Sequence, residues 1–349
     1  MTDGNPTLAP DTHHGFVPAE GPIGHEGVKR WFATALAKGR LSGSFLLVGP
    51  PGIGKAGLAK WVAKSLFCER QPGVELACCG TCPSCIQVEA DSHPDLVQVR
   101  KPDDRPLIPV ELLIGPPENR MREGFNRDIR LRPFRGGRKV AILHDADYLN
   151  EEGANSLLKT LEEPPPDAIL FLIATNEQRQ LPTIRSRCRI IRMHPPKGEQ
   201  AVRLMRQRGI ECESSAVDRA IAICAGDCEA AAVFLTEEGS KVRNAIVQRL
   251  AVKGIDPIEL SQTVSAIMEE LGSTATGNAK RDRLQDVFSI AVDYFRQQLH
   301  HEATNPKVIG PLTYRLDRSV DAIGQSLRNA NQSTLIESWA TDLARGCPS

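Results

Sequence analysis

The sequence predicts an α/β domain with a doubly wound parallel sheet, followed by domains that are almost entirely helical. Three observations lead to this fold class. Short apolar runs alternate with helical patterns up to about residue 193, a phosphate-loop signature follows the first run, and helical spacing dominates the remainder of the 349 residues. Parallel strands buried on both faces have such apolar sequences, and the helices between them cover the sheet.

Four nearly continuous apolar runs are predicted to be the strands: Phe45 to Val48, Leu96 to Val99, Val140 to Leu143 and Ile169 to Ala174. A helix is predicted between Asn150 and Pro164, because apolar residues recur there at helical spacing, with Glu151 and Glu152 in the first turn. This alternation is a βαβ repeat, which places the α/β domain at residues 21–194.

The phosphate-loop signature lies between the first strand and a helix that begins near Ala56. Its residues are Gly49, Pro50, Pro51, Gly52, Ile53, Gly54 and Lys55. In this setting backbone N–H groups surround a β-phosphate and the lysine neutralises the outer oxygens, so ATP or ADP binding is expected to be possible.

The residues that should hold Mg²⁺ beside this loop are replaced. Ala56 stands where Ser or Thr would offer a hydroxyl, and His144 and Asp145 follow the third strand where an aspartate and a glutamate are expected. A poorly held Mg²⁺ leaves the charge on the γ-phosphate uncompensated, so we expect nucleotide turnover to be absent. The alternative is that Asp145 or Asp147 moves into the metal site.

A cysteine cluster follows the phosphate loop. Cys79, Cys82 and Cys85 are spaced at two-residue intervals, and Cys68 precedes them. Four thiolates suit a closed tetrahedral structural zinc site, which we place in a module at residues 68–85. Disulfides are the first alternative and a redox CxxC the second; Cys78 could replace Cys79 as a ligand, although only Cys79 gives even spacing.

Composition restricts the remaining possibilities. The 43 basic and 43 acidic side chains balance, so any nucleic-acid contact must come from a local patch. The first 20 residues read as a flexible leader without the features of a signal peptide, and no apolar run has transmembrane length. Ten cysteines without a secretory signal indicate a reducing cytoplasm. The lack of a transmembrane run predicts no membrane association.

Outside the predicted sheet, residues 101–137 are rich in Pro, Gly and Arg and are predicted to be an extended surface insertion. Residues 195–240 are predicted to form a small helical lid domain, and residues 241–349 a helical collar or oligomerisation domain. Two apolar stripes in the latter are predicted to form the bundle core or to face partner subunits: Leu284, Val287, Phe288, Ala291, Phe295 and Leu299, and Leu335, Ile336, Trp339 and Leu343.

The order of the motifs resembles the bacterial clamp-loader subunits of DNA polymerase III, which belong to the AAA+ superfamily. The resemblance covers roughly residues 22–238. It is carried by the phosphate loop, the four cysteines, His93-Pro94-Asp95, residues 136–140, residues 155–165 and Ser186-Arg187-Cys188. Ala56, His144-Asp145 and Glu229 depart from the ATP-hydrolysing gamma/tau branch, so the chain looks like the delta-prime branch.

The resemblance implies roles for particular residues. Arg187 matches the arginine finger that such a subunit offers to the ATP of its neighbour, a role that suits a permanently charged guanidinium. Thr175-Asn176 match the position that senses γ-phosphate in active relatives, although here a structural role is expected. Lys159 and residues 162–163 match positions that couple neighbouring subunits and DNA. The alternatives are that Arg187 is one more surface arginine and that residues 159–163 are a solvated helix face.

The implied function is that of a largely non-hydrolysing stator in the clamp loader. Such a subunit would assemble with gamma/tau-type and delta-type subunits in a ring, act on the sliding clamp and meet primed DNA through the assembly. It would carry one structural Zn²⁺ and hold Mg²⁺ poorly. The alternatives are an ATP-hydrolysing gamma/tau-type motor and a zinc-dependent DNA-binding scaffold whose Lys and Arg residues contact phosphates.

Overall fold

The computed structural model describes residues 19–70, 76–135, 137–252, 254–270, 277–302, 305–327 and 331–345. Residues 1–18 of the predicted leader, and Gly136 of the 136–140 motif, therefore lie outside the described residues. The chain divides into two compact units, residues 1–194 and 195–349. The lid and collar, both in the second unit, remain predictions as separate domains.

The first unit contains a five-stranded parallel sheet. The strands are β1 Gly43–Val48, β2 Leu96–Val99, β3 Lys139–Leu143, β4 Ala168–Ala174 and β5 Arg189–Arg192. Their order across the sheet is β2-β3-β4-β1-β5, and every neighbouring pair is parallel. The predicted parallel α/β fold is therefore confirmed. Strand β5 was not predicted from the sequence.

Seven α-helices of the first unit connect or follow these strands. They are α1 Glu26–Ala37, α2 Lys55–Phe67, α3 Pro83–Glu89, α4 Glu111–Ile114, α5 Phe125–Asp128, α6 Glu151–Glu162 and α7 Pro182–Arg185. The helix predicted between Asn150 and Pro164 is α6. Asn150 caps it by accepting a hydrogen bond from the backbone N–H of Gly153, at 2.7 Å, which satisfies a donor that the first helical turn would otherwise leave free.

The central strands of the sheet are buried on both faces. Phe32, Phe45 and Phe171 form an aromatic cluster with ring centroids 5.3 to 5.7 Å apart. A separate apolar cluster includes Leu46 of β1 and Leu157 of α6. All residues of β3 and β4 are buried. Strands covered on two sides need apolar residues at every position, which explains why these runs do not alternate.

The prediction that residues 101–137 form an extended surface insertion is wrong. Ile108, Leu113, Phe125 and Ile129 are each at most 2% exposed and belong to the same apolar cluster as Leu46. The segment contains α4 and α5, each only four residues long. One helical turn contributes too few apolar residues to show a helical period, so the pattern in the sequence was not visible.

The second unit is helical in its described parts. Its helices are α8 Glu199–Arg206, α9 Ser214–Ile223, α10 Cys228–Leu235, α11 Glu237–Ala251, α12 Pro257–Glu269, α13 Gly277–His301, α14 Pro306–Leu327 and α15 Gln332–Arg345. The first predicted stripe lies on α13 and is buried except for Leu299, which is half-buried. The second lies on α15 and is buried throughout. The stripes therefore form core, as in the contact between Phe288 and Trp339, whose ring centroids are 5.0 Å apart.

Candidate functional site

The four predicted metal ligands lie together next to α2 and α3. Cys68 caps the carboxyl end of α2, Cys82 caps the amino end of α3, and Cys85 lies in the first turn of α3. Cys79 precedes a turn at Gly80, whose φ of 73° favours a residue without a Cβ atom. Two helix ends and one turn thus position the ligands.

The geometry of the cluster fits a tetrahedral metal ion. The four Sγ atoms lie within 4.8 Å of one another and all four cysteines are buried. Sulfurs at the usual Zn–S distance from one ion would be separated by about 3.8 Å, so only a small contraction is needed. The backbone N–H groups of Cys79, Cys82 and Cys85 donate to the sulfurs of Cys68, Cys79 and Cys82 at 3.3 to 3.4 Å.

These N–H donors also affect the thiol pKa values. Burial raises the pKa of Cys79, but hydrogen bonds from the backbone of Thr81 and Cys82 outweigh it and lower the pKa to about 6. The thiolate, which is the form that binds metal, is therefore favoured at this position. Cys78 is also buried, and burial raises its pKa. It lies outside the group whose sulfurs converge.

Residue 19, which the sequence analysis assigned to the leader, packs on this cluster. Ala19 and Trp61 are the partly buried apolar neighbours of the five cysteines at positions 68, 78, 79, 82 and 85. The backbone N–H of Ala19 donates to the carbonyl oxygen of Cys78 at 2.7 Å. The first described residue of the chain therefore lies against the cysteine module.

A polar network connects the cysteine module to the loop that precedes β3. Ser84 donates from its hydroxyl to Glu69 Oε1 at 2.7 Å, and Arg135 forms an ion pair with the same carboxylate. The Ser84 and Arg135 side chains lower the pKa of Glu69. Asp95, buried, accepts from the backbone N–H groups of Phe134 and Arg135 at 2.6 and 3.2 Å. The His93-Pro94-Asp95 motif thus contributes to holding the loop before β3.

The phosphate loop follows β1 at the carboxyl edge of the sheet. A Cβ atom on Gly49 would lie 2.4 Å from the carbonyl oxygen of Met193, so only glycine fits between the loop and the chain leaving β5. Gly54 caps α2 with a φ of 95°, in the left-handed region that favours glycine. His25 donates from Nε2 to the carbonyl oxygen of Ile53 at 2.7 Å, which fixes the buried tip of the loop.

Lys55 turns back onto the loop. Its ammonium group donates to the carbonyl oxygens of Gly49 and Pro50, both at 2.5 Å, and the residue is 6% exposed. A bound phosphate would compete with these carbonyl oxygens for the ammonium group. Beside the lysine, the methyl group of Ala56 offers no metal ligand.

The position after β3 holds a buried imidazole. His144 is 4% exposed, and its Nε2 atom lies 3.0 Å from Oε1 of Gln98 on the neighbouring strand β2. Gln98 donates from Nε2 to the carboxylate of Asp91 at 2.7 Å, and Asp91 forms an ion pair with Lys60 at 2.5 Å. A carboxylate only accepts, so Gln98 presents its oxygen to His144, and His144 carries its proton on Nε2.

This environment keeps His144 neutral. Burial, with smaller repulsion from Arg100 and Lys60, lowers its pKa to about 4. An Nε2–H that already donates to Gln98 cannot bind a metal ion through that nitrogen. The residue in the usual place of the magnesium aspartate is thus a fixed, uncharged hydrogen-bond donor.

The two nearby acids are also engaged in the fold. Asp147 accepts from the backbone N–H of Thr175 at 2.5 Å and from the side chain of Gln180 at 2.9 Å. Asp145 has a φ of 55° and accepts from the backbone N–H of Lys101 at 3.3 Å. These contacts argue against the alternative in which either acid serves the metal. They also give Thr175 a structural partner.

Arg187 lies after α7 and faces the end of α6. Its Nε donates to Glu162 Oε1 at 2.6 Å, and its Nη2 also contacts that oxygen. Its Nη1 donates to the carbonyl oxygen of Thr183 at 3.1 Å. Arg185 and Arg192 nearby both pair with Glu177. Arg187 therefore has a different partner from these two.

The remaining implied residues occupy helix surfaces. Lys159 and Glu163 are exposed at the carboxyl end of α6. Glu229 is exposed in the first turn of α10, where its backbone N–H donates to Asp227, the cap of that helix. Gln98 and the Glu162–Arg187 pairing were not predicted from the sequence, because both depend on which strands and helices become neighbours.

None of the described helices combines the length and apolar character needed to cross a membrane.

Comparisons with known proteins find similarity to DNA polymerase III subunits. Residues 24–197 match the family described as DNA polymerase III, delta subunit. The chain is 31% identical to DNA polymerase III subunit delta' of Escherichia coli K12 over 213 residues, which cover 61% of this chain and 60% of that protein. It is 37% identical to the delta' subunit of Pseudomonas aeruginosa over 145 residues, 42% and 41% of the two chains.

Subunit tau of Escherichia coli K12 is 32% identical over 167 residues, which cover 48% of this chain and 24% of that protein. The matched part thus spans at most 60% of the length of these relatives. A DNA polymerase III gamma subunit-related protein of Thermotoga maritima aligns with 92% of this chain and 98% of its own, at a TM-score of 0.42 and 18% identity.

Proposed function

Because residues 24–197 belong to the DNA polymerase III delta subunit family, and the curated relatives include delta' subunits, we propose that this chain is a non-hydrolysing stator of a clamp loader. It has the AAA+ fold and is a clamp-loader subunit of the delta-prime type. Its partners in this proposal are gamma/tau-type and delta-type subunits, the sliding clamp, and primed DNA reached through the assembly.

The observation that carries the non-hydrolysing role is the state of the metal-binding positions. Ala56 has no hydroxyl, and His144 is a buried, neutral imidazole whose proton is committed to Gln98. Phosphoryl transfer in such pockets depends on a metal ion that neutralises charge on the γ-phosphate. Asp145 and Asp147 are bound to backbone N–H groups. The pocket therefore lacks a ready magnesium ligand, although its loop retains the lysine and glycines that favour a phosphate.

In the same proposal Arg187 acts on the nucleotide of a neighbouring motor subunit. A guanidinium supplied from outside a pocket stabilises the charge that develops on the transferred phosphate. Arg187 lies on the same unit as the phosphate loop but is paired with Glu162 and Thr183. This contact with its own chain is compatible with a finger that is presented to a neighbour.

The cysteine module would hold one Zn²⁺ through Cys68, Cys79, Cys82 and Cys85. The convergence of their sulfurs, their burial and the N–H donors toward three of them support this assignment. A zinc ion in a closed four-thiolate site supplies folding free energy and no catalysis. The ends of α2 and α3 would hold three of the four ligands in place for the ion.

The competing function is an ATP-hydrolysing motor of the gamma/tau type, since the tau subunits are relatives of similar identity. Steady-state ATP hydrolysis by the purified chain, with Mg²⁺ and with or without primed DNA, separates the two. The stator predicts no turnover above background. Turnover near one per second that is lost in Lys55→Ala, but kept in Lys64→Ala on the same helix, would establish the motor instead.

A further inference from the structure

The pairing of Glu162 with Arg187 has no explanation in helix stability. Glu162 is the last residue of α6 and Glu163 is its cap. Negative charge is unfavourable at the carboxyl end of a helix, where the backbone carbonyl groups already give a partial negative charge. A residue that breaks a local preference in this way often serves a functional site.

Glu162 fixes one edge of the Arg187 guanidinium. The Nε and Nη2 atoms both contact Oε1 of Glu162, so the long side chain is held against α6. The Nη1 atom has uncharged partners at longer distances, the carbonyl oxygen of Thr183 at 3.1 Å and the hydroxyl of Ser186 at 3.3 Å. A phosphate oxygen, which carries charge, can replace those partners without breaking the contact with Glu162.

We propose that Glu162 is a positioning residue for Arg187, holding the guanidinium in the conformation from which Nη1 reaches a neighbouring subunit's nucleotide. This inference rests on the proposed function of Arg187. An unpaired arginine samples many rotamers and loses that freedom when it binds. A side chain already held in place loses less, which favours the transition state in the neighbouring pocket.

Asp167 provides a matched control. It lies five residues after Glu162 in the chain, it is exposed, and within the described ranges its side chain forms no hydrogen bond or ion pair. Replacing it with Asn removes one negative charge from the segment that follows α6 without touching Arg187. A general electrostatic effect would appear in both variants, whereas positioning affects only Glu162.

The test uses clamp-loader complexes reconstituted with the full chain carrying Glu162→Gln, Glu162→Asp, Asp167→Asn, Arg187→Ala, or Glu162→Gln with Arg187→Ala. DNA-stimulated ATP hydrolysis and clamp-loading rates are measured against ATP concentration. Glu162→Gln should lower kcat for clamp loading by about 3- to 10-fold with little change in KM. Glu162→Asp should restore part of the loss, and Asp167→Asn should match the wild type.

The double variant decides whether Glu162 acts through Arg187. If it does, Glu162→Gln has no further effect once Arg187 is Ala, because the interaction has already been removed. Wild-type or faster loading by Glu162→Gln, together with impaired loading by Arg187→Ala, would overturn the positioning role and leave the finger intact. Wild-type loading by Arg187→Ala would overturn both. Unchanged thermal unfolding of each variant shows that the comparison concerns folded protein.

Discussion

His144 donates its Nε2 proton to the side-chain oxygen of Gln98, 3.0 Å away on the neighbouring strand. Gln98 is itself oriented by Asp91, and Asp91 by Lys60. The chain of contacts runs from α2 through β2 to the end of β3. A position that holds a metal ligand in phosphate-loop enzymes is here an internal structural contact.

Acidification should destabilise the first unit through His144. Its folded-state pKa of about 4 lies below the usual value of 6.5, so the contribution of the neutral imidazole is complete above pH 6.5 and is lost as pH falls toward 4. Between about pH 7.5 and about pH 5 the loss should be about 2 kcal/mol. Urea unfolding of His144→Gln, which cannot ionise, should show a correspondingly smaller loss.

The exposed His194 supplies the control for this measurement. His194→Gln should follow the wild-type pH dependence, and protonation of the cysteine site affects all three proteins alike. Parallel curves for the wild type and His144→Gln would mean that His144 accepts a proton in the folded protein, contrary to its burial.

The cysteine module should bind one zinc ion per chain. Metal analysis of protein purified without added zinc should give a ratio near one, and X-ray absorption should show four sulfur ligands. Cys82→Ser should lose the ion and lower the unfolding temperature, since metal binding supplies folding free energy.

Cys78→Ser provides the comparison, because Cys78 is buried beside the ligands but its sulfur lies outside their group. It should retain the ion. Disulfides in reduced preparations, or loss of zinc in Cys78→Ser with retention in Cys79→Ser, would change the assignment of the ligands.

Elements whose signal lies in residues close together in the chain were predicted from the sequence. Features that depend on residues far apart in the chain were not. The strands β1, β3 and β4 are central and buried on both faces, so their apolar runs were visible. The four cysteines were found because the spacing of Cys79, Cys82 and Cys85 is typical of metal ligands. In contrast β5, Arg189–Arg192, begins and ends with arginine at an edge of the sheet. An edge strand with exposed ends has neither a continuous apolar run nor a clear alternation.

The residues of the candidate nucleotide pocket were predicted from the sequence, but the contacts that they make were not. Ala56 and His144 could be identified because each occupies a position where the motif has a different residue. That His144 is neutral follows from Gln98, which is 46 residues away in the chain and becomes its neighbour through the pairing of β2 with β3. Such side-chain contacts depend on the order of the strands in the sheet, which the pattern of residues in one sequence does not reveal.

Removing the carboxylate of Asp286 should stabilise the second unit near neutral pH. Burial, with repulsion from Asp282 and Asp227, raises its pKa to about 7. The folded state therefore holds a proton that the unfolded chain releases near pH 4. Stability from this residue is greatest at acid pH and is lost as pH rises to 7.

Asp286→Asn should accordingly raise the unfolding temperature by several degrees at about pH 8, corresponding to about 1–2 kcal/mol, and by little at about pH 4. Differential scanning calorimetry measures the shift. Asp317 on α14 is exposed, so Asp317→Asn is the control and should change the unfolding temperature little. A destabilised Asp286→Asn at pH 8 would show that the ionised carboxylate makes a favourable contact.

Arg187→Ala should impair the assembled clamp loader while leaving this chain folded. The side chain of Arg187 is 29% exposed and that of Glu162 is 48% exposed. Exposed ion pairs contribute about 0–1 kcal/mol, so unfolding and subunit assembly should be nearly unchanged.

At the one pocket that receives the finger, hydrolysis should fall by a factor on the order of 10³, the scale of arginines supplied in trans. Bulk ATP hydrolysis falls less, because other motor sites keep their own fingers, so clamp loading is the more sensitive measurement. Arg192→Ala is the matched control, since that side chain is 64% exposed and pairs with Glu177. It should load clamps normally. Equal rates for Arg187→Ala and Arg192→Ala in both assays would mean that Arg187 is structural, and that the chain contributes to the clamp loader without a catalytic arginine.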